Sequence, residues 1–128
     1  MQKRSFKQEL EDLLNSHVNG MDWDEKSELV KRTLVEIEKE KSDWDQSNKG
    51  KSWKDEELRA ILSAPPTVAN ALKFAKAFKR GYGSIEQIYR WAGQGDDVID
   101  EKRPNDSFIQ QIKRVRNELN WKSVGMSS

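Results

Sequence analysis

Large apolar residues recur at every third or fourth position along most of this sequence, and this spacing constrains the fold more than any other feature. Phe6, Leu10 and Leu13, for example, follow one another at intervals of four and three residues. Side chains with this spacing lie on one face of an α-helix. No stretch of the sequence alternates apolar and polar residues over the length of a β-strand. The sequence therefore predicts an all-α fold.

Two amphipathic helices are predicted before residue 45. The first covers about residues 4–18, where Asn19-Gly20 ends it, and the second runs from about residue 22 to residue 44. Two helices cannot bury two apolar stripes by themselves, so we expect residues 1–44 to form an N-terminal helical hairpin that packs on the rest of the chain or on a second copy. The polar residues 45–52 have no periodic apolar pattern and are interpreted as a linker or a loop.

Three short helices are predicted in residues 53–92, at about 53–62, 68–80 and 84–91. Pro65-Pro66 separates the first helix from the second, and Gly81-Tyr82-Gly83 forms the turn before the third. This succession predicts a compact tri-helical unit whose last two helices form a helix-turn-helix.

The remaining residues, 93–128, are predicted to form an acidic loop followed by a C-terminal amphipathic helix at about 106–120. An acidic cluster of Asp96, Asp97, Asp100 and Glu101 could bind a divalent cation through its oxygens. A solvated acidic loop is the favoured interpretation, because the segment lacks the ligand spacing of a calcium loop.

Several chemistries are excluded or disfavoured by composition. The sequence has no cysteine, which excludes disulfides and thiolate catalysis, and His17 is its single histidine. Gly50-Lys51-Ser52 lacks the glycine that a phosphate loop needs five residues earlier, where Asp45 stands. We therefore expect no cofactor and no enzymatic activity.

A cytoplasmic location without a membrane partner is also expected. No apolar run approaches the roughly 18 residues of a membrane span. The first residues lead directly into a charged helical pattern, with no apolar signal-peptide core.

Charge is distributed unevenly along the chain, although the net charge is only +1. Residues 1–50 contain nine Lys and Arg against twelve Asp and Glu, whereas residues 51–128 contain fourteen against ten. Within residues 71–92 five basic residues stand against one acidic residue. A basic region of this kind can form a nucleic-acid-binding surface, and a helix with lysines on its solvated face has the same charge distribution.

Three motifs in the central segment carry a family resemblance. Trp53 is followed by the acidic run Asp55-Glu56-Glu57-Leu58, Phe74-Ala75 is followed by Phe78, and Ser84 is followed by Gln87-Ile88 and Arg90-Trp91. In this order, residues of about 51–92 resemble a Myb/SANT-type DNA-binding repeat, as in small bacterial or phage regulators.

The resemblance implies a duplex DNA-binding protein that acts in transcriptional regulation or in a phage or mobile-element process. Helix 84–91 would enter the major groove, where glutamine can pair with adenine and arginine with guanine, while the other cations hold phosphates. The implied DNA contacts are Lys51, Lys54, Lys76, Lys79, Arg80, Tyr82, Ser84, Gln87 and Arg90.

Two further partners stay open at this point. A SANT-like unit could instead serve as a non-catalytic adaptor that binds another protein. Because a single helix-turn-helix unit contacts few bases, a homodimer formed through the N-terminal helices is also expected.

Overall fold

The computed structural model describes residues 1–120, which form helices joined by loops and contain no β-strand. The prediction of an all-α fold is confirmed. The helices within this range are α1 (Lys3–Asn15), α2 (Trp23–Lys41), α3 (Asp55–Leu62), α4 (Val68–Ala77), α5 (Tyr82–Ala92), α6 (Asp96–Lys102) and α7 (Ser107–Glu118).

The chain divides into two compact units, Met1–Leu34 and the part from Val35 onward. In the first unit, the Lys26 ammonium group donates to the carbonyl oxygens of Leu14 and Ser16 at the end of α1. Such donors satisfy carbonyls that a helix end leaves without an intrahelical partner. The two expected helices are present, but α1 contains no buried residue.

The hydrophobic core lies in the second unit and is centred on α5. Ile85 and Ile88 of α5 are fully buried, as are Leu58 of α3 and Ile112 of α7. Full burial of a side chain of this size stabilises the folded protein by about 1.5–3 kcal/mol relative to leaving the side chain in water. α5 packs against α3, α4 and α7. The core therefore includes α7, which the sequence placed outside the tri-helical unit.

The ends of α4 follow from local hydrogen bonds. Thr67 caps its N-terminus, because the hydroxyl oxygen accepts from the backbone N–H of Asn70 at 3.1 Å. At the other end, Lys79 has a φ of 57° and the N–H of Arg80 donates to the Ala75 carbonyl at 2.8 Å. This is a Schellman motif. It ends α4 at Ala77, before the predicted residue 80.

Residues 45–52 form a loop, as one of the two interpretations predicts, but this loop is bound to the end of α4 rather than free as a linker would be. The backbone N–H of Asn48 donates to the carbonyl of Lys79 at 3.0 Å, and the Asn48 side-chain amide donates to the carbonyl of Phe78 at 3.0 Å. Trp44, immediately before this segment, donates from Nε1 to the Arg80 carbonyl at 2.7 Å. The loop supplies hydrogen bonds to carbonyls just beyond α4, a role that polar composition alone does not reveal.

The prediction of an acidic loop after residue 93 is wrong, because Asp96–Lys102 form α6. Asp96 and Asp97 lie in its first turn, where carboxylates interact favourably with the helix dipole, and Ile99 is fully buried. Asp100 pairs with Lys113 of α7 at 2.8 Å. The last helix agrees with its predicted range of about 106–120. The end of the predicted 93–128 segment, residues 121–128, lies outside the described residues.

Candidate nucleic-acid interface

Arg80 is the most deeply buried charged residue of the predicted DNA-contact set, with 4% of its surface exposed. Its guanidinium lies over the ring of Trp53, at 3.9 Å from the centroid. The two terminal nitrogens donate to the backbone carbonyls of Lys51 and Ser52. The Schellman turn at the end of α4 thus directs Arg80 into the protein.

The prediction that Arg80 is a surface phosphate contact is therefore corrected. Each of its two terminal nitrogens already donates to a carbonyl of the loop before α3, and its Nε, which is buried, has no hydrogen-bond partner within the described residues. No salt bridge of the described residues includes Arg80. Burial lowers the pKa of Arg80, while the charge of Glu57 acts in the opposite direction. The guanidinium stays charged at neutral pH, so its positive charge has no ion-pair partner.

Tyr82 is likewise not a surface residue, and its predicted role as a phosphate contact is corrected. It belongs to the core, with 7% of its surface exposed, and burial raises the pKa of its phenol. The Lys39 ammonium lies over its ring, at 4.4 Å from the centroid. α5 begins at Tyr82, with Gly81 as N-cap, so the predicted Gly81-Tyr82-Gly83 turn is shorter than expected.

A cleft of about 540 Å³ lies next to Arg80, where the loop before α3 meets the first turns of α5 and α7. Its lining residues are basic, polar or aromatic, and none is acidic. They are Gly50, Lys51, Ser52, Trp53, Arg80, Ser84, Gln87, Ser107, Phe108, Gln111 and Arg114.

Several polar side chains of the cleft have unused hydrogen-bonding capacity. Within the described residues, the side chains of Ser84, Gln87 and Ser107 make no hydrogen bond, and Gln87 is exposed. The Lys51 ammonium makes one long contact, 3.4 Å to the Asn48 side-chain oxygen. The first turns of two helices add their positive dipole ends. This combination is suited to a phosphate or another small anion.

Arg114, on the cleft wall, is neutralised by Asp55 at the start of α3. Its two terminal nitrogens contact the two Asp55 oxygens at 2.9 and 3.0 Å. Gln111 donates to the same carboxylate at 2.8 Å, and these hydrogen bonds lower the pKa of Asp55 to about 2. Gln111 is a cleft residue that sequence reasoning missed, because it lies 56 residues from Asp55 and no local pattern links the two.

Three other predicted DNA contacts lie next to carboxylates. Arg90 pairs with Glu86 one helical turn away at 2.8 Å, Lys76 pairs with Glu38, and the Lys79 ammonium lies 3.8 Å from an Asp45 oxygen. Lys54 is exposed at the N-cap of α3. The structure thus brings Lys51, Arg80, Ser84 and Gln87 together around the cleft. The other five predicted residues, Lys54, Lys76, Lys79, Tyr82 and Arg90, do not line it.

Metal-binding side chains do not cluster within residues 1–120. This range contains no group of three or more His, Cys, Asp or Glu side chains placed to hold a metal ion. The carboxylates of the suspected cation segment are engaged elsewhere, since Asp96 pairs with Arg116 and Asp100 with Lys113. No helix in the same range combines the length and the apolar character needed to cross a membrane.

Comparison with known proteins places the second unit in a family. Residues 47–123 match the model of the "Uncharacterised protein PM1205 C-terminal domain" family. The chain belongs to this family. It is also 49% identical over 121 residues to the "Uncharacterized protein PM1205" of Pasteurella multocida (strain Pm70), an alignment that covers 93% of this chain and 97% of that protein. The similarity therefore extends into the residues before the family domain. No solved structure matches the chain.

Proposed function

We propose that this chain is a duplex DNA-binding protein, a transcriptional regulator or a phage or mobile-element factor, and that its cleft binds a backbone phosphate. The observation that carries the proposal is the buried, unpaired positive charge of Arg80 beside a cleft without acidic lining. A charge in this position attracts anions although two of its N–H groups are used by carbonyls, because Coulomb forces act over several ångströms in a partly desolvated site.

The side chains at the cleft supply the contacts that Arg80 itself cannot make. The Lys51 ammonium and the Ser84 hydroxyl are placed to donate to phosphate oxygens, and the first turn of α5 contributes its dipole. Phosphate contacts of this kind position a protein on the duplex without specifying sequence.

Base recognition would come from the exposed edge of α5. Gln87 and Arg90 are exposed on this helix, four and seven residues after the exposed Gly83, so they share one face. A glutamine can bond bidentately to adenine and an arginine to guanine in the major groove. The likeness of residues 51–92 to a Myb/SANT repeat, with α4 and α5 as a helix-turn-helix, supports this placement and stays a prediction.

A protein-binding adaptor is the second candidate, and the ion pairs of the basic residues favour it. The contacts of Arg90 with Glu86 and of Lys76 with Glu38 reduce the positive charge available for a polyanion. The two candidates differ in salt dependence, because only DNA binding releases counterions from the phosphate backbone.

Fluorescence anisotropy on random-sequence duplex DNA across a salt series tests the proposal. We expect binding that weakens steeply with salt, and we expect Lys51→Ala to reduce the slope of log K against log[salt] by about 1. Lys102→Ala is the matched control, because this exposed lysine does not line the cleft. Its salt slope should equal that of the wild type.

A selected target sequence then tests the base-reading residue. Gln87→Ala should cost about 1–3 kcal/mol on that sequence and much less on random DNA. The absence of DNA binding at low salt would overturn the proposal and favour the adaptor. If Lys51→Ala and Lys102→Ala change the salt slope equally, the cleft is not the site that binds the DNA phosphate.

A further inference from the structure

The apolar stripe of α1 is uncovered. Phe6, Leu10 and Leu13 retain 59%, 40% and 69% of their surface exposed, and no residue of the helix is buried. Apolar residues scattered singly over a surface are ordinary, but a stripe on one helix face is the usual sign of an interaction surface. Val18, Trp23, Leu29 and Leu34 add further exposed apolar surface within the same unit.

The charges of α1 oppose its own helix dipole. Lys3, Arg4 and Lys7 lie in its N-terminal half, whereas Glu9, Glu11 and Asp12 lie toward its C-terminus. No acidic residue is found in the first turn, no basic residue in the last, and the N-cap residue forms no side-chain cap. A helix prefers the reverse distribution of charge.

A helix with these properties is not stable alone. α1 has 13 residues, and isolated helices shorter than about 12–15 residues are marginal in water even with favourable sequences. The exposed Lys7–Glu11 pair at 3.5 Å contributes little. The start of α2 supports α1 within the first unit, where Lys26 donates to the carbonyls at the end of α1, but the apolar stripe still lacks a partner that covers it.

We propose that this partner is α1 of a second copy, packed antiparallel to the first. In that arrangement the basic N-terminal half of each helix lies beside the acidic C-terminal half of the other, and the two apolar stripes cover each other. A parallel pair would instead set like charges side by side. The antiparallel pair has two-fold symmetry, the commonest symmetry of soluble homo-oligomers. The proposal is independent of DNA binding.

Sedimentation equilibrium of the full chain tests the association. We expect a concentration-dependent dimer, and we expect Leu13→Lys to weaken it at least tenfold by placing a charge on the stripe. The matched control is Gln8→Lys, which adds the same charge about half a turn away from the stripe. A monomer at all concentrations overturns the proposal, as does an equal effect of the two substitutions.

The orientation is tested by a distance measurement. Because the sequence has no cysteine, a single spin label can be placed through Gln2→Cys at the start of α1. The two labels of an antiparallel dimer lie about 20 Å apart along the helix axes, given 1.5 Å per residue over the 13 residues of α1. Labels about 10 Å apart, the spacing of two packed helices, indicate a parallel pair and overturn the antiparallel arrangement.

Charge reversal supplies a second readout. A double variant with Lys3→Glu and Lys7→Glu should dimerise more weakly than the wild type. When this variant is mixed with a second one that carries Glu9→Lys and Asp12→Lys, the two should associate with each other. No change on reversal, or no recovery on mixing, contradicts the charge complementarity on which the proposal depends.

Discussion

The guanidinium of Arg80 stacks on the indole ring of Trp53, with its central carbon 3.9 Å from the ring centroid. The same group donates to the carbonyls of Lys51 and Ser52, which precede Trp53 directly. One side chain from the end of α4 thereby holds the loop before α3 through cation–π attraction and hydrogen bonds. Because that loop is one wall of the cleft, Arg80 determines the shape of the cleft as well as its charge.

Replacing Arg80 should destabilise the fold. Arg80→Met retains a long apolar stem but leaves the carbonyls of Lys51 and Ser52 without their donors, and we expect a loss of about 2–3 kcal/mol in the free energy of unfolding. Arg103→Met is the control, because Arg103 is exposed and lies farther from a tryptophan ring, at 5.4 Å from that of Trp91. Arg103→Met should change the free energy of unfolding, measured in urea, by no more than about 0.5 kcal/mol. Equal losses for both variants would contradict a structural role of Arg80.

Glycine at position 79 should stabilise the protein. Lys79 has a positive φ of 57°, which costs energy for any residue with a Cβ. We expect Lys79→Gly to raise the free energy of unfolding by about 0.5–1 kcal/mol, measured by thermal and urea unfolding. Lys73→Gly, within α4, should lower it by about 1 kcal/mol. A loss at both positions would contradict the Schellman geometry at the end of α4.

Tyr89 should contribute stability through its hydroxyl, which donates to the buried Ile61 carbonyl at 2.8 Å. Tyr89→Phe should cost about 1 kcal/mol at neutral pH. Burial raises the pKa of Tyr89 to about 12, above its ordinary value of 10.0. Its stabilising contribution is therefore complete below pH 10 and is lost as the pH rises toward 12. Between pH 10 and 12, the free energy of unfolding measured in urea should fall less steeply with pH in Tyr89→Phe than in the wild type. Identical slopes would contradict the role of the Tyr89 hydroxyl.

Asp55 should contribute to acid sensitivity. Hydrogen bonds from Arg114 and Gln111 lower its pKa from 3.8 to about 2 in the folded protein. A carboxylate with a lowered folded pKa stabilises the protein above its unfolded pKa, and that contribution is lost as the pH falls from about 4 to 2. Asp55→Asn should flatten the pH dependence of unfolding in this range. In Arg114→Gln, a carboxyl NMR titration should return the pKa of Asp55 toward 3.8, and an unchanged midpoint would refute the role of the Arg114 hydrogen bonds.

Glu86 should oppose DNA binding if the proposed function holds. Its carboxylate pairs with Arg90 at 2.8 Å and adds a negative charge to the exposed edge of α5. Glu86→Gln should strengthen binding to duplex DNA by about 0.5–1 kcal/mol. The substitution frees Arg90 from its ion pair and removes a negative charge that repels the DNA phosphates. Glu101→Gln on α6, away from this edge, is the matched control in anisotropy. Weaker binding by Glu86→Gln would contradict the placement of α5 against DNA.

Local signals were sufficient to predict most helices. Thr67 caps α4 through a bond to a residue three positions away, and Ile85 and Ile88, three residues apart, are buried on one face of α5. Caps and apolar periodicity act within a few residues, so a single sequence contains them. The same information was insufficient at Asp96, where the surrounding glycines predicted a loop and the burial of Ile99 favoured a helix.

The cleft could be predicted only in part. Lys51, Ser84 and Gln87 were predicted as DNA contacts from the family resemblance, and they line the cleft. Gln111 and Arg114 reach it from α7 through contacts that span more than 50 residues. Arg80 was predicted to be a phosphate contact on the surface, which the family resemblance implies. Its burial depends on carbonyls 28 and 29 residues away.

The all-α class, the apolar face of each helix and the opposed charges of α1 follow from residue type and spacing, so they can be predicted from the sequence. Which cations are free, which are paired and which are buried depends on contacts that form only when the chain folds. Lys51 and Arg80 are both basic residues in the sequence, yet one is exposed at the cleft and the other lies beneath it. The reason is physical: the environment of a charge is set by groups that folding brings from distant positions.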